Sequence, residues 1–220
     1  MREKAAALVA QLSPLVEHVT VIYSNPEETK EDGPGTWIQV PNEYYFGRKF
    51  REALAHHKSD IFVNLQADAA CSDWTSLIAK CRTAFDRYPL LGMWTTEVDW
   101  SWWTTPRVSL GQWTPDEHLI GQTDGIFFAL RAEIVDRLIK LDYNRNNLGW
   151  GVEWPAICYA YSHNMFVLRD TSVKIDHPKG SGYDHTEARK QQDAFLAQMT
   201  VQEKIHFALL YRYVARPGVV

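Results

Sequence analysis

Over residues 3–16, Ala7, Leu8, Leu12, Leu15 and Val16 recur at three- and four-residue spacing, so the pattern predicts a helix with one buried face that Pro14 disturbs late. Residues 18–23 are short and β-branched and read as a strand, closed by Ser24, Asn25 and Pro26. The polar run 27–35 has nothing to bury and carries three turn formers, which predicts an exposed, mobile loop. A second strand follows over 36–40, closed by Pro41 and Asn42, then a helix over 45–54. Residues 60–66 are nearly continuous in apolar character, as in a strand buried on both faces. Asp73 then caps a helix over 74–87, and Pro89 separates it from a strand over 90–94.

This α-β-β-α-β-α-β order predicts an α/β fold with a mostly parallel, Rossmann-like central sheet flanked by helices. Ligands of such sheets sit beyond the carboxyl ends of the strands, where Asn25, Asn42 and Asp68 fall. Residues 97–117 place Trp100, Trp102, Trp103 and Trp113 among small and turn-forming residues, which reads as an irregular excursion or hairpin over the site. Strands over 126–130 and 165–168, helices over 132–141 and 155–161, and a final helix over about 186–214 complete a single domain of residues 1–220. Residues 1–95 form its first half and 96–185 its second.

Composition narrows the partners. A chain of 220 residues, 45% hydrophobic and with a formal charge of −4, can bury a core but offers no general attraction to polyphosphate, so small molecules move ahead of nucleic acid. Three cysteines without metal-site spacing fit a reducing, cytoplasmic setting better than a disulfide framework. The sequence has no run of about 18 apolar residues that would span a bilayer, and the apolar run at its start is too short for a signal peptide.

Three places carry candidate chemistry. Asp68 ends the buried strand on a rigid support, where a carboxylate can hold a hard divalent cation against a diphosphate or simply cap a helix. In Gly149-Trp150-Gly151-Val152-Glu153-Trp154-Pro155, two glycines permit a tight turn and Pro155 starts a helix. Glu153 then stands at a helix N-terminus, as a general base or as a carboxylate that merely favours the dipole. His177 ends a strand before Pro178-Lys179-Gly180-Ser181-Gly182-Tyr183. It can ligate a metal while Lys179 meets phosphate oxygens, or the segment is an ordinary turn with Asp176 as the histidine's partner.

The succession of an acidic strand end, a Gly-Trp-Gly-x-acid turn into a helix, and a strand ending in His before a glycine-rich segment resembles the GT-A nucleotide-sugar glycosyltransferases. The likeness covers roughly residues 19–183. It implies transfer of a sugar from a nucleotide-diphosphate donor to a carbohydrate or other acceptor hydroxyl, assisted by Mn²⁺ or Mg²⁺. Asp68 matches the second acid of the family's Asp-x-Asp motif, with Gln66 in place of the first, and His177 resembles a late metal-binding histidine. Glu153 matches the base of inverting members. The resemblance assigns Asn25, Asn42, Arg48, Gln66, Asp68, Lys179 and Tyr183 to the donor, with Lys49 beside Arg48 as a phosphate candidate. Trp102, Asp124, Gly125, Trp150 and Gly151 fall to the acceptor. The same architecture also serves sugar-nucleotide-forming nucleotidyltransferases, and a carbohydrate-binding or scaffold module on a degenerate copy of the fold is the non-enzymatic alternative.

Overall fold

A computed structural model describes residues 2–25, 33–178 and 184–215. Helix α1 (Arg2–Leu12) precedes β1 (Thr20–Tyr23) and β2 (Thr36–Gln39), which form a parallel two-stranded sheet of their own. Then follow α2 (Phe46–Ala55), β3 (Ile61–Leu65), α3 (Trp74–Arg87), β4 (Leu91–Val98), the short α4 (Thr105–Val108), β5 (Ser109–Gln112), β6 (Glu117–Ile120) and β7 (Phe127–Arg131). The chain continues through α5 (Ala132–Leu138), a 3-10 turn (Tyr143–Arg145), α6 (Glu153–Ser162), β8 (Phe166–Ile175), α7 (His185–Leu196) and α8 (Val201–Val214). Most of the loop expected over 27–35 lies outside the described residues.

The fold is α/β with a central sheet between helices, as the pattern predicts. The six-stranded sheet runs β3-β7-β4-β8-β6-β5. Alternation sends its side chains to two cores. Trp94, Phe127, Ala129 and Leu168 pack with α3, and α1 lies on that side. Met93, Phe128, Leu130 and Val167 face the opposite way, into the core that α2, α5, α6, α7 and α8 share.

The expectation of a mostly parallel sheet needs correcting. β3, β4, β8 and β5 point the same way, but only β4–β8 is a parallel neighbour pair; β7 and β6 run against them and make the other four pairings antiparallel. Antiparallel neighbours need no crossover helix. Residues 109–131 supply three strands with no helix between them, so alternation read from the first half does not extend there.

Two strands outrun their apolar signal. β4 and β8 continue through Thr95, Thr96, Arg169 and Asp170, which are polar yet buried and sit opposite one another in the ladder. The expected final helix is two helices. Thr200 starts a new one, its hydroxyl accepting from Glu203 N at 3.2 Å while Glu203 Oε2 accepts from Thr200 N at 2.6 Å.

Candidate functional site

The pairing directions bring the carboxyl ends of β3, β4 and β8 to the same sheet edge as the loop that enters β7. Leu65 stands opposite Phe127, and Val98 opposite Ile175. Just beyond β3 and β8, Ala70 and Asp176 exchange two backbone hydrogen bonds of 2.8 Å and hold the two strand exits together. Asp68 and His177, 109 positions apart in the sequence, meet there: His177 Nε2 lies 3.3 Å from Asp68 Oδ1. The imidazole nitrogen is buried and makes no hydrogen bond, so it faces the carboxylate without being satisfied by it. An imidazole nitrogen beside a carboxylate oxygen is a mixed donor pair that a divalent first-row metal can take, the oxygen being the donor that Mn²⁺ or Mg²⁺ favours. Among the described residues no group of three or more such side chains converges, so these two would hold a metal together with oxygens from its ligand.

Gln66 is committed elsewhere. Its Nε2 donates to the Gly125 carbonyl at 3.3 Å, Asn64 Nδ2 donates to the same oxygen at 2.9 Å, and Gln66 N donates to Ile126 O at 3.0 Å. Two strand amides thereby clamp the loop holding Gln122, Thr123, Asp124 and Gly125. An ionised carboxylate in place of Gln66 could not make this bond, because it has no proton to donate.

Glu153 opens α6 and is 5% exposed. Gln122 Nε2 donates to its Oε1 at 2.9 Å. Burial, with a further push from Asp124, raises the Glu153 carboxyl to about 8. At pH 7 roughly a tenth is ionised, and that fraction is a strong carboxylate base. Asp124 Oδ1 accepts from Ile126 N at 3.2 Å, whereas its Oδ2 is buried without a partner.

The glycine turn is a packing knot. Gly149 and Gly151 have φ of 84° and 72°, in the left-handed region. A Cβ on Gly149 would lie 2.5 Å from Phe46 Cδ1, and one on Gly151 would lie 2.4 Å from Gln192 Nε2. These faces are filled by α2 and α7 rather than left open for an acceptor. The Trp150 ring lies 5.2 Å from that of His185, between centroids.

Of the other donor candidates, Asn25 follows β1, half-buried, and Asn42 is exposed in the turn before α2. Arg48 stacks over Tyr44 at 3.7 Å and lines a 320 Å³ cavity with Arg51, Asp142 and Tyr143 that contains none of the other candidates. Its neighbour Lys49 turns to the end of β1 instead, donating to Ser24 Oγ at 2.8 Å, and burial lowers its pKa. Lys179 and Tyr183 lie outside the described residues. Trp102 is 70% exposed, with the Arg107 guanidinium 4.7 Å from its ring centre.

Arg169 is the residue that pattern reading missed. It is 1% exposed on the central strand β8, and among the described residues no carboxylate lies within ion-pair distance. Its guanidinium donates to Trp103 O at 2.6 Å, Thr105 Oγ1 at 3.4 Å and Thr123 Oγ1 at 3.3 Å, tying the Trp-rich segment to the clamped loop. Burial lowers its pKa, and the nearby charges of Asp124 and Glu97 oppose that. The available signal was a charged pair, Arg169-Asp170, inside an apolar strand.

Seven buried side-chain atoms among the described residues lack a hydrogen-bond partner; Gln122 Oε1 and Asp124 Oδ2 belong to the 122–126 loop, Arg169 Nε to the side chain that bonds that loop, and His177 Nε2 to the pair with Asp68 beyond β3 and β8. Buried polar atoms are ordinarily paired, so ordered water, an ion or a ligand would supply the missing partners here.

No protein-family model matches the chain, and no curated protein matches it. Solved structures do. GalNAc-T7 with UDP, GalNAc and Mn²⁺ superposes over 91% of this chain and 45% of its own, at a TM-score of 0.59 and 13% identity. A mannosyltransferase from Pyrobaculum calidifontis in complex with GDP-Man and Mn²⁺ does so over 94% and 60%, at 0.56 and 14%. An apo UDP-glucose pyrophosphorylase matches over 89% and 85%, at 0.52 and 12%. The chain thus spans about half the length of the first of these and three fifths of the second. Its architecture is the GT-A-like fold that these two glycosyltransferases and the pyrophosphorylase share.

Proposed function

We propose that the protein is a glycosyltransferase that moves a sugar from a nucleotide-diphosphate donor to an acceptor hydroxyl. The observation that carries the reading is the meeting of Asp68 and His177 beyond β3 and β8, together with the unsatisfied buried polar atoms of Gln122, Asp124 and Arg169 around the loop that Gln66 bonds. These two residues would hold a divalent cation on the donor diphosphate, and that cation supplies charge neutralisation at the leaving group. Glu153, poised near pH 8 by burial, takes the acceptor proton as the hydroxyl attacks the anomeric carbon. Gln122 holds the Glu153 carboxyl in place, and the Asn64 and Gln66 amides fix the loop that carries Asp124 beside it. The exposed Trp102 ring offers an acceptor sugar a stacking face.

A second enzyme class rests on one observation: the chain covers 85% of the pyrophosphorylase but 45% and 60% of the two glycosyltransferases. A nucleotidyltransferase would condense a nucleoside triphosphate with a sugar phosphate and release pyrophosphate. Calorimetric titration with nucleoside diphosphates and their sugars, with and without Mn²⁺, tests the primary reading. Metal-dependent binding of one nucleotide sugar, with no pyrophosphate released from any triphosphate, is the expected result. Pyrophosphate release on adding a sugar phosphate would replace it with the second reading, and silence across the panel would sink both.

A further inference from the structure

Helix α8 has two apolar faces and a single place to bury one of them. Phe207, Leu210 and Val214 turn inward, and Trp154 of α6 packs against Phe207 and Tyr211 at ring separations of 4.9 and 6.1 Å. On the opposite arc Val201, Ile205, Ala208 and Leu209 are exposed, with Val201 at 73% and Leu209 at 64%. These positions recur at three- and four-residue spacing and form one continuous ridge.

The charges on that arc have one sign. Lys204 and Arg212 stand among the apolar residues, whereas the only acid of the helix, Glu203, is buried against Arg137. In a chain of net charge −4 this basic, acid-free ridge is a local exception. Near the carboxyl end of the helix, Arg107 Nε donates to Val214 O at 3.1 Å and its guanidinium stacks on the exposed Trp102. Tyr213 donates to Ser109 O at 2.7 Å and fastens the helix to β5. The ridge is therefore held rigidly, capped by Thr200 and anchored at both ends.

We infer that the exposed arc of α8, with Arg107 and Trp102 near its carboxyl end, seats the protein on an anionic lipid surface. Apolar side chains would enter the acyl boundary while Lys204, Arg212 and Arg107 meet lipid phosphates. A second copy fits less well, because a symmetric pairing would set Lys204 and Arg212 of each copy against their own kind. A protein partner would have to bring a groove shaped to the ridge and acids placed against Lys204 and Arg212, whereas a fluid anionic bilayer conforms to both. The arc of α8 carries the inference whichever transfer reaction the protein performs; only Trp102 is shared with the acceptor surface proposed above.

The test is co-sedimentation with sucrose-loaded vesicles of phosphatidylcholine alone or mixed with phosphatidylglycerol, alongside sedimentation velocity without lipid. The expected result is at least a roughly tenfold preference for the anionic vesicles, weakened by salt. Ile205→Glu with Leu209→Glu should abolish binding, and Lys204→Ala with Arg212→Ala should remove the anionic preference. All four side chains are exposed, so thermal melts of the variants should match the parent. Quenching of tryptophan fluorescence by brominated lipid, reduced in Trp102→Phe, gives a second readout on the unaltered helix. No vesicle binding overturns the inference. So does binding that the glutamate pair leaves intact, or a lipid-free dimer that this pair dissociates.

Discussion

Glu153 and Glu203 are both buried carboxylates in the first turn of a helix, and they have been given opposite company. Arg137 donates to the two Glu203 oxygens at 2.7 and 2.8 Å, Thr200 N adds a third bond, and the Glu203 pKa is lowered. Glu153 has no cation within ion-pair distance among the described residues. It receives one side-chain amide, and burial holds its proton to about 8. A carboxylate held by three hydrogen bonds, two of them from a guanidinium, serves to hold the fold together. One left short of partners costs stability and keeps the capacity to exchange a proton.

The largest effect expected is on turnover. Glu153→Gln keeps shape and removes the base, so kcat should fall by about 10²–10⁴ while donor affinity stays within a factor of two. An equal loss of both would end the base assignment. The parent's kcat/KM should rise with pH through about 8, and the variant should lose that limb. Stability follows the opposite course. A carboxyl raised from 4.5 to about 8 binds more protons folded than unfolded between those values, so the fold loses stability as pH rises through that window. Glu153→Gln should therefore melt no lower than the parent at pH 8, as calorimetry would show.

Glu203→Gln should instead cost about 3–5 kcal/mol at neutral pH, because it strands Arg137 without its partner. Since the folded pKa of Glu203 is lowered, its contribution is present above the unfolded value and is lost as pH falls through the folded one. Denaturant melts of parent and variant should converge in acid. If they stay apart, the pair is not what stabilises α8.

Asp68→Ala and His177→Ala should each remove the Mn²⁺-dependent part of donor affinity and leave the metal-free part unchanged, read by titration calorimetry. Trp102→Ala should change stability by less than about 0.5 kcal/mol, because the ring is largely exposed. It should raise acceptor KM a few-fold, and an unchanged KM would remove Trp102 from the acceptor surface.

Apolar periodicity was sufficient for much of this architecture. The pattern over 74–87 matches α3 in full, because Asp73 caps it through Ser76 N at 2.9 Å and its apolar face is well marked. The meeting of Asp68 and His177 was implied by the family resemblance, and it arises because each stands just beyond a strand whose exit lies at the same sheet edge. What periodicity could not convey was polar burial. Thr95, Thr96, Arg169 and Asp170 look like the ends of strands, yet they continue them because they bond across the sheet and to its loops. The break between α7 and α8 was written in Thr200-Val201-Gln202-Glu203, a capping box within a segment whose apolar spacing never pauses.

The Gly125 clamp bears on how this protein could change. Replacing Gln66 by aspartate on paper completes a pair of acids with Asp68, yet the new carboxylate would face the lone pairs of the Gly125 carbonyl and loosen the loop beside Glu153. The gain at the metal and the loss at the loop would arrive in the same substitution. Asn64 Nδ2 and the Gln66 backbone N–H would still hold the loop, so a second acid at position 66 would cost one of its three anchors, and the two effects would be coupled rather than additive.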